Sequence, residues 1–265
     1  MYTISKIPLS LIIGAFSVTW ATYPGSIIGS WDATYKEGSW EFYPMGFTHD
    51  GGYIWVYTGN WIFKRLPENG SIVHSVSPYM PPAQGMGFDE GRRYLYAACY
   101  VSGIYIVNSA NGETIASYPV PSGLGQVDVM DYNEAEPSAP VWTGDRFLPV
   151  LYNLTSACSF VRSLDTSFSN SRGLAYAADA PGGPYLFVGS APATIYALNP
   201  ASGSIYYSFT ITLPNGLCDL AWDPPYLWTA DNYLDSSGYI YRFVALPSAP
   251  TVSPSSFGKI KALYR

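Results

Sequence analysis

The sequence predicts an all-β protein folded as a five-bladed β-propeller. Three observations carry this prediction: a hexapeptide that recurs five times, an apolar segment that recurs in step with it, and a composition poor in charge but rich in aromatic and turn residues. Of the 265 residues, 12% are charged, against roughly 25% in an average globular domain, while 17% are aromatic. There are 25 Gly and 22 Pro, and no long segment has apolar residues at helical spacing. Such a chain is made for strands and tight turns.

The hexapeptides are GSIIGS from Gly25, GSIVHS from Gly70, GETIAS from Gly112, CSFVRS from Cys158 and GSIYYS from Gly203. Their spacings are 45, 42, 46 and 45 residues, and each has Ser at its sixth position. A period of 40–50 residues with several short strands per unit is the mark of a propeller. Within each unit the first strand is apolar and ends in an aromatic or Met, at Phe47, Phe88, Met130, Tyr176 and Trp222. A second strand usually opens on Tyr, as at Tyr53, Tyr94, Tyr185 and Tyr226. A third is WIFKR from Trp61, GIYIV from Gly103, TIYAL from Thr194 or YIYRF from Tyr239. Turns such as Asn69-Gly70 and Asn111-Gly112 then lead into the hexapeptide strand. Strands apolar on both faces fit blades sandwiched between neighbours, with wide rings filling the wedge.

The fifth unit lacks a fourth strand, because Pro247, Pro250 and Pro254 follow the third. The first hexapeptide is the spare one. Gly25–Trp31 is therefore expected to pair with Tyr239–Phe243 and close the ring.

The segment IYALNPASGSIYYSFTI (Ile195–Ile211) resembles the outer half of quinoprotein-type propeller repeats, and GLCDLAWDPPYLWTADN (Gly216–Asn232) resembles the inner half of NHL-type repeats. The resemblance implies architecture. It carries no cofactor here, since the stacking Trp and calcium site of quinoprotein dehydrogenases have no assignable counterpart.

Residues 1–21 read as a secretory signal: Lys6, an apolar run from Ile7 to Val18, then Thr19-Trp20-Ala21 for cleavage after Ala21. The apolar run is short for a membrane span. Residues 22–246 are expected to be the propeller. Residues 247–265 are read as a Pro/Ser linker and a basic tail, SPSSFGKIKALYR (Ser253–Arg265), which resembles short C-terminal tails of secreted proteins of uncultured bacteria. That likeness implies a sorting signal or a strand added to a neighbour. The expected location is outside the cell or at its surface. Cys99, Cys158 and Cys218 match no zinc spacing and read as small buried hydrophobes. Sequons at Asn69 and Asn153 are glycosylation candidates.

Candidate site residues are few. A propeller's site sits at the mouth of its channel, where His49 follows the first inner strand. Asp128 occupies a position taken elsewhere by Met45, Met86, Leu174 and Leu220, and could line the channel or pair with Arg146 or Arg162. Asp219 is similarly placed, and Asn232 and Asp235 form part of an acidic loop. Asp89, Asp131 and Asp223 share one repeat position, where an acid starts the turn to the next strand. No catalytic triad can be built from two histidines so placed, and no metal or cofactor is expected. A net charge of −6 argues against nucleic acid. The favoured reading is a non-enzymatic binding or assembly module with a protein or carbohydrate partner, or with itself. The alternative is a small-molecule hydrolase or lyase acting at the channel mouth.

Overall fold

The computed structural model describes residues 23–37, 39–214, 216–231 and 238–246. Expectations for the segment 1–21, for Asn232 and Asp235 and for the tail lie outside these residues. The described chain is all-β, with no helix among its residues.

The chain opens with β1 (Ile27–Asp32) and a hairpin, β2 (Tyr35–Glu37) and β3 (Trp40–Phe42). Four complete blades follow. The first holds β4 (Pro44–His49), β5 (Ile54–Thr58), β6 (Trp61–Arg65) and β7 (Ile72–Val76). The second holds β8 (Gly85–Asp89), β9 (Tyr94–Ala98), β10 (Ile104–Asn108) and β11 (Thr114–Tyr118). The third holds β12 (Val129–Tyr132), β13 (Val141–Gly144), β14 (Val150–Leu154) and β15 (Phe160–Asp165). The fourth holds β16 (Ser171–Ala177), β17 (Tyr185–Ser190), β18 (Thr194–Leu198) and β19 (Ile205–Thr210). The last is β20 (Leu217–Asp223), β21 (Tyr226–Asp231) and β22 (Tyr239–Val244), completed by β1. Ile27 lies opposite Phe243 and Trp31 opposite Ile240, which is the expected closure.

The structure gives the hexapeptide a physical meaning. Its first residue has positive φ in all five copies: Gly25 (90°), Gly70 (72°), Gly112 (77°), Cys158 (55°) and Gly203 (74°). The fourth residue, Ile28, Val73, Ile115, Val161 or Tyr206, is skipped by the pairing register, so every outer strand carries a β-bulge at the same place. The Ser at position six faces an aromatic on the third strand: Tyr241, Phe63, Tyr105, Tyr152 or Tyr196. All five bulge residues are exposed.

The hexapeptide also joins the blades. A Cβ on Gly70 would lie 2.4 Å from the Trp31 ring, so the turn that opens β7 rests directly on the end of the previous outer strand. Gly112 meets Val76, Gly203 meets Leu164 and Gly25 meets Phe209 in the same way. Trp31 is 7% exposed, packs on Trp228 at 6.3 Å between centroids and donates its indole N–H to Pro67 O.

The β2–β3 hairpin was not expected from the repeat. It lays Tyr35 on Phe63 at 4.8 Å, beside Trp61 and Phe42. Cys99 is buried, while Cys158 and Cys218 are half-buried; all three are free thiols, pushed up to about 12 by burial.

Candidate functional site

The inner strands β4, β8, β12, β16 and β20 surround the axis, and each pairs on one side only. Their other edges, with unpaired N–H and C=O groups, face one another across the channel. Such groups need partners when water is excluded. Glycines let the strands crowd together: a Cβ on Gly173 would lie 2.6 Å from the Asp219 backbone, and one on Gly85 would lie 2.6 Å from Met130 N.

Asp219 is fully buried. Its Oδ2 accepts the Phe47 N–H at 3.0 Å and the Met86 N–H at 3.2 Å, and its Oδ1 accepts the Leu220 N–H at 2.9 Å. One carboxyl thus ties the last blade to the first and second. Asp131 accepts the Tyr176 N–H at 2.5 Å and ties the third blade to the fourth. This corrects the turn assignment of Asp131. Its repeat-mate Asp89 does start a turn, accepting the Arg92 N–H at 2.9 Å, whereas Asp223 accepts the Trp228 indole N–H at 3.0 Å.

Burial pushes the Asp131 carboxyl up to about 7 and holds Asp219 well above the usual carboxylate range, against the N–H groups that favour the anion. Unfolded, both would titrate near ~3.9. Between these values the folded chain holds protons that the unfolded chain releases. The Asp131 contribution to stability is therefore present at low pH and falls as pH rises through about 7. Asp131→Asn, which keeps an acceptor for Tyr176 N, is expected to flatten the fall in melting temperature between pH 5 and pH 8. Superimposable profiles for the two proteins would show that Asp131 does not titrate in this window.

The plug of carboxylates separates two mouths. At one, Met45, Gln84, Asp128, Ser171, Arg172 and Cys218 join Arg146 around a cavity of ≈ 20 Å³, room for about one water. Asp128 is 3% exposed there and is engaged on both oxygens. Arg146 reaches Oδ1 through Nη2 (2.7 Å) and Nε (3.0 Å), and Gln126 Nε2 donates to Oδ2 at 2.5 Å. Arg146 also donates to Gln84 Oε1 at 2.6 Å. The residues level with Asp128 are thus Met45, Gln84, Arg172 and Cys218, which corrects the expected set containing Met86, Leu174 and Leu220.

The other mouth is a bowl of ≈ 280 Å³ lined by all five blades. Phe88, Tyr132, Tyr176 and Trp222, at or near the ends of their inner strands, form its aromatic wall. Asp50, Glu90, Glu134 and Asp179 supply charge, and no Lys or Arg among the described residues lines it. Asp50 is occupied by Lys64 Nζ at 2.8 Å. Glu90, Glu134 and Asp179 make no ion pair among the described residues; Glu134 accepts the Gly91 N–H and Asp179 the Trp222 indole N–H at 2.8 Å. His49 sits in the wall 3.8 Å from Asp223. Burial lowers its pKa, against Asp223 and Asp50, so the imidazole is neutral at pH 7. Asn133 is 4% exposed and also lines the bowl; its Nδ2 makes no hydrogen bond among the described residues, although the side chain lies close enough to Tyr176 to lower its phenol's pKa against burial.

The three sequence-selected residues therefore sit at three levels of the axis: Asp128 at the narrow mouth, Asp219 in the plug and His49 in the bowl. The structure does not bring them together. The aromatic strand ends were visible in the sequence but read as packing. Of the sequons, Asn69 is exposed. Asn153 is fully buried, its amide donating to Ala139 O and Val141 O and accepting from Arg162 Nε, which leaves no room for a glycan in the folded chain. No helix among the described residues is long and apolar enough to cross a membrane.

The fold has a counterpart among solved structures. The crystal structure of Myxococcus xanthus glutaminyl cyclase superimposes with a TM-score of 0.62 at 12% identity, over 84% of this chain and 96% of that one. This chain is a five-bladed β-propeller. Hydrazine synthase from Kuenenia stuttgartiensis aligns with a TM-score of 0.49 at 14% identity, over 71% of this chain and 55% of that one. No protein-family model and no curated protein matches the sequence. At these identities the likeness is one of fold, which many unrelated activities share.

Proposed function

We propose that the protein is a binding module working outside the cell, and that its ligand presents a cationic group to the bowl. The observation that carries this reading is the wall itself: four aromatic side chains with three acids that make no ion pair and no competing Lys or Arg among the described residues. Ring faces and carboxylates both attract an ammonium, and the ring contribution grows as water is excluded. The bowl lies at the small end of ligand-site volumes. The signal-like first 21 residues support the location.

Calorimetric titration with choline, against its uncharged isostere 3,3-dimethylbutanol, tests the reading. Choline should bind and the isostere should not, and Trp222→Ala should weaken choline by about 2- to 30-fold, the range of one cation–π contact. Equal heats from the two probes would defeat it.

One observation favours catalysis at the same mouth. His49 is neutral and beside Asp223, the condition of a general base, and the Myxococcus neighbour is a glutaminyl cyclase. Turnover in a lactone and ester screen that His49→Ala abolishes would select the hydrolase or lyase reading.

A further inference from the structure

We infer that the bowl is an internal docking site for the chain's own basic tail, Phe257–Arg265, with one of Lys259, Lys261 or Arg265 entering it. This rests on the cation-binding reading above and names the occupant.

Three observations lead there. The first is where the described chain ends. Val244 lies opposite Tyr226, Tyr226 lies opposite Asp223, and Asp223 stands 3.8 Å from His49 in the bowl wall. The chain thus leaves the propeller on the bowl's own face, two strands out from the inner one, or ~10 Å at the usual strand spacing. The second is reach. Pro247–Ser256 supplies ten residues with Pro at 247, 250 and 254, which extended would span ~30 Å. That exceeds the distance to be covered.

The third is charge. The described residues carry nine Lys and Arg against eighteen Asp and Glu, while the tail carries Lys259, Lys261 and Arg265 and no acid. Indeed no acid follows Asp235. Glu90, Glu134 and Asp179 are the carboxylates of the bowl without a cation of their own among the described residues. A peptide also offers a carbonyl, which the Asn133 amide donor lacks. Ile260, Leu263 and Tyr264 provide apolar groups for the aromatic wall. Tethering by a short linker raises the tail to an effective concentration on the order of millimolar, so even weak intrinsic affinity fills the site.

The test uses the full chain. If the tail competes for the bowl, the triple variant Lys259→Ala/Lys261→Ala/Arg265→Ala should bind choline several-fold more tightly than the wild type. A synthetic SSFGKIKALYR peptide added to that variant should displace choline, and Trp222→Ala should abolish the displacement. Equal choline affinity in wild type and triple variant, with no displacement by peptide, overturns the docking and leaves the cation site standing. Peptide binding that survives Trp222→Ala places the tail elsewhere and also overturns it. Absence of choline binding in every protein removes both readings.

Discussion

Deleting residues 23–32 is expected to leave the last blade with three strands and to lower the melting temperature by tens of degrees or abolish folding. The deletion removes the whole β1–β22 ladder and takes Trp31 from between Trp228 and the Gly70 turn. A graded version is Trp31→Ala. Emptying a buried Trp site costs about 3–5 kcal/mol, and each kcal/mol shifts the melting temperature by about 2–4 °C in a domain this size. A fall of about 6–20 °C is therefore expected by scanning calorimetry. A peptide of residues 23–33 supplied to the truncated chain should recover part of the loss by mass action. An unchanged melting temperature in both variants would refute closure through β1.

The second large effect is expected at Asp219. Asp219→Leu is close to isosteric but leaves the N–H groups of Phe47, Met86 and Leu220 without an acceptor. Each buried donor so stranded costs about 1–3 kcal/mol, against a total stability of about 5–15 kcal/mol. The variant should fail to fold or be recovered insoluble. Asp219→Asn retains one acceptor oxygen, so it should fold with a loss of about 2–3 kcal/mol, read as a shifted urea midpoint at constant slope. If Asp219→Leu is as stable as the wild type, the carboxyl is not what holds the inner edges together.

Most of the architecture was legible because it repeats. The hexapeptide marks a left-handed residue, a bulge and a small residue under a ring, and these demands recur five times, even where Cys158 replaces Gly. The β2–β3 hairpin occurs once, so no repeat could expose it. Levels along the axis were legible only in part. Asp131 shares its sequence position with Asp89 and Asp223, but in the structure Met130 pairs with Thr143 as Leu220 pairs with Thr229, so the third inner strand is displaced by two residues against the repeat and Asp131 meets Tyr176 N in place of its own turn. The same offset sets Gln84, and not Met86, level with Asp128. The bowl was hidden for another reason. Phe88, Tyr176 and Trp222 look like core residues in sequence, and only the convergence of five strands turns their ends into one wall.

The closure by β1 has a consequence for how the chain comes into being. At synthesis rates of roughly 5–20 residues per second, about 10–40 s separate the emergence of Asp32 from that of Tyr239. Through that interval the first strand waits with Trp31 uncovered and its ladder to β22 unmade, and the growing ring has an open edge. A second nascent chain nearby presents the same vacancy. Intramolecular closure and exchange of first strands between two chains therefore use identical contacts, and the local density of nascent chains selects between them.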